Sequence, residues 1–147
     1  MKKTAYIMIA LLVLVGSMAA AAQAQSVNHA QIRVSIPFQF KVGNATLPAG
    51  EYLVRQITTD SDAATLQISR RDGGANALIN MCGAIRNGQA MTQLGFRRYG
   101  NQYYFGEVRL EGARDGLQAP RSKAERATQK ELAALNVKME TVALSAR

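Results

Sequence analysis

Tryptophan is absent from this chain of 147 residues, and cysteine and histidine occur once each, as Cys82 and His29. Nucleophile-base pairs and clustered zinc ligands therefore have almost no residues to be built from. A lone cysteine cannot close an intramolecular disulfide. The sequence also lacks H-E-x-x-H, a Walker loop, G-x-S-x-G and C-x-x-C, and it has no internal repeat period. These absences argue against an enzyme, and neither a cofactor nor a metal is expected. The length suits one small domain.

Acidic residues are the scarcer charge, 10 against 18 lysines and arginines, for a formal net charge of +8. Basic proteins often contact nucleic acid, but the N-terminus points to export. Lys2 and Lys3 precede an apolar run from Ala5 to Val15, followed by the small-residue stretch Met18 to Ala24. This is the layout of a secretory signal peptide, with Ala22-Gln23-Ala24 as the small-x-small cleavage site and Ala20-Ala21-Ala22 competing. The run is shorter than the ~20 residues that span a bilayer. Residues 1–24 are thus expected to be removed, leaving 25–147 as a single β-rich domain in the periplasm or medium, with no nucleic-acid partner and no further membrane attachment.

From Ile32 the side chains alternate with a period of two: Ile32, Val34, Ile36, Phe38, Phe40 and Val42 against Arg33, Ser35, Pro37, Gln39 and Lys41. That pattern predicts a strand with one buried face. Pro37 lacks an N–H, so an edge position, a bulge or a switch between sheets is expected there. Further strands are read at Glu51–Ile57, Thr65–Arg70, Ala77–Cys82, Gln93–Tyr99 and Tyr103–Leu110, separated by turn signals such as Arg71-Asp72-Gly73-Gly74 and Asn87-Gly88. The neighbours Leu78, Ile79, Met81 and Ile85 place Cys82 in a buried strand as a small hydrophobe. Asp60-Ser61-Asp62 lacks the rest of a calcium loop and reads as a turn.

After Pro120 the composition turns helical. Ser122 and Glu125 fit a capping box, the helix is expected over about 122–136, and Ala124, Ala127, Leu132 and Leu135 form its apolar stripe. Residues 140–145 suit a last strand returning to a sheet edge, or a frayed tail. The fold class expected is mainly β, an antiparallel β-sandwich or small barrel of about seven to eight strands with one C-terminal helix.

The segments Ile36-Pro37-Phe38-Gln39-Phe40-Lys41-Val42-Gly43 and Leu47-Pro48-Ala49-Gly50-Glu51-Tyr52 give the pattern P-F-x-F-x-V-G-x-x-x-L-P-A-G-x-Y. It resembles that of a family of small uncharacterised secreted proteins of soil bacteria. Phe96 to Phe105 and the helix start at Ser122 are similar to that family too. The resemblance implies export and a β-rich domain, and carries no activity or site residue with it.

The surface best suited to binding is the aromatic and cationic hairpin with Arg97, Arg98, Tyr99, Tyr103 and Tyr104. Planar rings and guanidinium donors suit an anionic glycan of the envelope or a protein partner, although cross-strand aromatic pairs also stabilise hairpins with no ligand. The alternative is a small barrel carrying an apolar ligand such as a lipid, lined by Ile36, Phe38, Phe40, Leu66, Ile68 and Phe96. Paired carboxylates are represented only by Glu107 and Glu111, which read as surface charge.

Overall fold

The alternation that begins at Ile32 ends at Pro37. Residues Gln31–Ile36 form strand β1, with Ile32, Val34 and Ile36 buried, and Phe40–Val42 form β2 in a different sheet. The residue without an N–H marks the switch between sheets, because a ladder cannot run through it. A computed structural model describes residues 31–58, 64–86, 88 and 91–147. The segment 1–24 expected to be a signal peptide, His29, the turn expected at Asp60–Asp62 and Asn87 lie outside the described residues.

The remaining strands are β3 (Ala45–Leu47), β4 (Gly50–Gln56), β5 (Thr65–Arg70), β6 (Asn76–Asn80), β7 (Ala84–Arg86), β8 (Gln93–Tyr99), β9 (Gln102–Arg109), β10 (Asp115–Gln118) and β11 (Met139–Ser145); the helix α1 is Lys123–Ala134. The fold is mainly β and sandwich-like, not a closed barrel. One sheet has the order β1-β4-β5-β6 and is antiparallel throughout. The other runs β11-β8-β9-β10-β7, with β2 meeting β9 in parallel at Lys41 and Tyr104, and β3 paired to β2. Eleven strands among the described residues replace the seven to eight expected from the sequence. The difference lies in pieces such as β2, β3 and β7, which are three residues long and too short to display a period of two.

The two sheets share one core. Phe40 of the second sheet meets Tyr52 of the first edge-on, with ring centroids 5.2 Å apart, and meets Phe96 at 5.3 Å. The side chains assigned to the lining of an apolar lumen, Ile36, Phe40, Leu66, Ile68 and Phe96, are buried in this cluster, with Phe38 packed against it.

Tyr52 explains the Leu47-to-Tyr52 signature in structural terms. Its hydroxyl donates to the Pro48 carbonyl four residues upstream, at 2.6 Å. This is a tyrosine corner, which pins the bend where the chain passes from β3 to β4. Burial holds the phenol above its ordinary pKa of 10.0, with Asp72 adding to the effect and Arg70 opposing it. The folded state therefore keeps the proton more firmly than the unfolded state, so this contribution is whole below pH 10 and declines above it. Tyr52→Phe is expected to cost about 1–2 kcal/mol at neutral pH. It should also make urea-unfolding stability less sensitive between pH 9 and 11 than in the wild type; a parallel loss in both proteins would contradict the assignment.

Cys82 departs from the sequence reading: it is exposed and lies beyond β6. The phase of the alternation decides this. Ala77, Ile79 and Met81 point inward, so Leu78, at 61% exposure, and Cys82 take the outward phase. The Cys82 N–H donates to the Gln118 carbonyl at 2.8 Å, tying the crossover between sheets to β10.

The helix begins as expected, with the Ser122 hydroxyl accepting from the Glu125 N–H. It ends in a Schellman motif: Val137 N–H bonds the Leu132 carbonyl, Asn136 N–H bonds that of Ala133, and Asn136 sits at φ 58°. The expected apolar stripe is corrected. Ala124 and Ala127 are exposed, Leu135 is 71% exposed, and the buried residues are Glu125 and Thr128. The sheet beneath presents polar atoms that need partners, so the docking face is polar.

Candidate binding surfaces

The β8–β9 hairpin closes through Gly100-Asn101 with positive φ at Gly100 only, the pattern of a type II′ turn. A bulge between Gly95 and Phe96 shifts the register, so that Gly95 faces Glu107 and Phe96 faces Phe105. From there Phe96, Arg98, Tyr103 and Phe105 share one face of the hairpin, and Arg97, Tyr99 and Tyr104 share the other, which α1 covers.

On the covered face Arg97 is 7% exposed and Glu125 is 1% exposed. The guanidinium makes a forked pair with the carboxylate, Nε to Oε1 at 2.6 Å and Nη2 to Oε2 at 3.0 Å. Its remaining hydrogens go to the carbonyls of Phe105, Gly106 and Ala119 at 3.2–3.3 Å, so all its donors are occupied. The Tyr99 hydroxyl donates to Glu125 Oε1 at 3.1 Å; burial, then the Glu125 charge, holds that phenol above its ordinary pKa. Tyr104 and Thr128 share a hydroxyl hydrogen bond of 2.8 Å, and Lys41 lies 5.2 Å over the Tyr104 ring. Gly106 leaves room for the Arg97 side chain: a Cβ there would stand 3.2 Å from Arg97 Cγ.

Arg97, Tyr99 and Tyr104 are therefore corrected from surface candidates to parts of the sheet-helix junction. The structure does not gather the five sequence candidates on one surface. Arg98 and Tyr103 stay half-exposed at the rim, the guanidinium 5.6 Å over the ring. Tyr103 stacks on Phe38 at 3.9 Å, Phe38 meets Phe96 edge-on, and Arg98 reaches Glu140 at 3.5 Å. This column runs from core to solvent, with Arg98 Nε donating to the Gly100 carbonyl and Nη1 to Glu140. Glu107 lies across Gly95 and pairs with Arg109 at 3.0 Å, while Glu111 occupies the turn after β9. No group of three or more His, Cys, Asp or Glu able to hold a metal occurs among the described residues.

The surface that the sequence reading missed is the outward face of α1. Lys123, Arg126 and Lys130 follow a three-then-four spacing, which places them on one side of the helix. They lie opposite Glu125 and Thr128, with Arg121 just before them. All four cations are exposed, and none has an ion-pair partner among the described residues. Glu125 is turned inward to neutralise Arg97, leaving Glu131 as the helix's exposed acid. The signal was present in the helical spacing of the basic residues but was masked by counting charges along the chain. Comparison of the chain with protein-family models, curated proteins and solved structures gave no match.

Proposed function

We propose that this is an exported, non-enzymatic binding protein whose partner is an anionic glycan of the cell envelope, engaged through the outward face of α1. The observation that supports it most is the row Lys123, Arg126 and Lys130, left without counter-charges because the helix's inner acid is spent on Arg97. The leader-like segment 1–24 supports export, and envelope polymers carrying carboxylates or phosphates are the polyanions met there. Repeated charges on a polymer match a repeated row of cations better than a single charged ligand does.

Salt is the discriminating variable, since exposed charges are screened over ~10 Å at 0.1 M ionic strength. Retention of the purified protein on isolated envelopes is expected to fall steeply between low and moderate salt. An exposed charge contact is worth about 1 kcal/mol in water at 4 Å, so replacing Lys123, Arg126 and Lys130 together by Gln is expected to weaken retention on the order of a hundredfold at low salt. Retention indifferent to both salt and the triple variant would rule this reading out.

A further inference from the structure

Among the described residues no helix covers the face of the first sheet turned away from the core, and part of that face is concave. A groove of about 500 Å3 runs along β1, lined by Arg33, Ser35, Leu53, Arg71, Ser145 and Arg147 among others. Its residues come from four parts of the chain: β1, β4, the turn after β5, and the end of β11 with the two residues that follow it. Such a volume lies within the range of small-molecule sites, about 300–1,000 Å3.

The placement of two arginines in it is unusual. Arg33 N–H donates to a main-chain oxygen of Arg147 at 2.6 Å, and Arg147 N–H donates to the Arg33 carbonyl at 3.0 Å. Two residues that exchange both bonds form a directly opposed antiparallel pair, so their side chains leave the same face of the sheet. Like charges directly opposite one another destabilise a sheet. Neither guanidinium has an ion-pair partner among the described residues. The acidic side chain lining the groove, Glu51, stands opposite Ser35 on β4 and is taken by Arg71 at 2.9 Å. An anion between Arg33 and Arg147 would remove the repulsion, and guanidinium groups grip a carboxylate through paired parallel hydrogen bonds.

We propose that this groove binds the carboxylated end of a short acidic saccharide. Arg33 and Arg147 hold the carboxylate, Ser35 and Ser145 meet ring hydroxyls, and Leu53, opposite Arg33 on β4, supplies an apolar surface for the ring. Glu51, held by Arg71 through Oε2, has Oε1 left to accept hydroxyl hydrogens from a sugar. The site is separate from the α1 row and does not depend on it.

The test is calorimetric titration with a galacturonic acid disaccharide, its neutral galactose counterpart and inorganic phosphate. The acidic disaccharide is expected to bind and the neutral one to bind at least tenfold more weakly. Arg33→Gln and Arg147→Gln are each expected to lower affinity for the acidic disaccharide at least tenfold, while the melting temperature stays level or rises as the like-charge repulsion is relieved. The triple Gln variant of α1 is expected to retain this binding. Failure of the acidic disaccharide to bind, equal binding by phosphate, or unchanged affinity in both arginine variants would overturn the proposal.

Discussion

Replacing Glu125 with alanine is expected to destabilise the protein by about 3–5 kcal/mol, the range seen when one partner of a buried ion pair is removed. The cause is the stranded partner. Arg97 would keep its three carbonyl acceptors but lose the carboxylate that takes both Nε and Nη2, in a site only 7% exposed. Tyr99 would lose its acceptor in the same step. A domain of this size has about 5–15 kcal/mol of stability in all, so urea unfolding should show a large shift of the midpoint. The double variant Arg97→Met with Glu125→Leu removes both charges and fills similar volume, and it is expected to recover most of the loss. If the single variant costs less than about 1 kcal/mol, as exposed ion pairs do, the pair is solvated and the description of the sheet-helix junction is wrong.

That junction also marks where sequence reasoning reached its limit. The alternation in β1 was legible because one face of that strand is buried and the other is not, so the period of two appears directly in Ile32, Val34 and Ile36. The same rule misleads in β8, where Leu94, Gly95, Phe96 and Arg97 are all buried, one face against the sandwich core and the other beneath α1. A strand covered on both sides hides which of its residues meet solvent, and Arg97 reads as a surface cation until Glu125, 28 residues away, is brought to it. The helix could not announce its inward face through apolar periodicity because that face is polar. The Leu47-to-Tyr52 pattern was legible as a motif, but only the Tyr52 hydroxyl on Pro48 shows that its role is to hold a corner. The α1 row is legible in the helical spacing of Lys123, Arg126 and Lys130, whereas the β1 groove required three-dimensional placement, since Arg33 and Arg147 are far apart in the sequence.

Phe96→Ala is expected to cost about 3–5 kcal/mol, as do truncations of buried aromatic residues that leave a cavity. Phe96 is fully buried and its ring meets three others edge-on: Phe38 and Phe40 at 5.3 Å and Phe105 at 5.9 Å. Such pairs add about 0.5–1.5 kcal/mol each beyond area burial. Close packing sets the size of this effect. In a filled sandwich the lost ring leaves a void lined by Phe38, Phe40 and Phe105, which the backbone of β8, held by β9 and β11 on its two sides, cannot collapse to fill. Apolar voids of that kind stay dry and admit small apolar molecules, so benzene is expected to raise the melting temperature of Phe96→Ala and to leave that of the wild type unchanged. A lumen that carried a lipid would behave the other way. Truncating a lining residue would then cost little, and the wild type itself would gain stability from an apolar ligand.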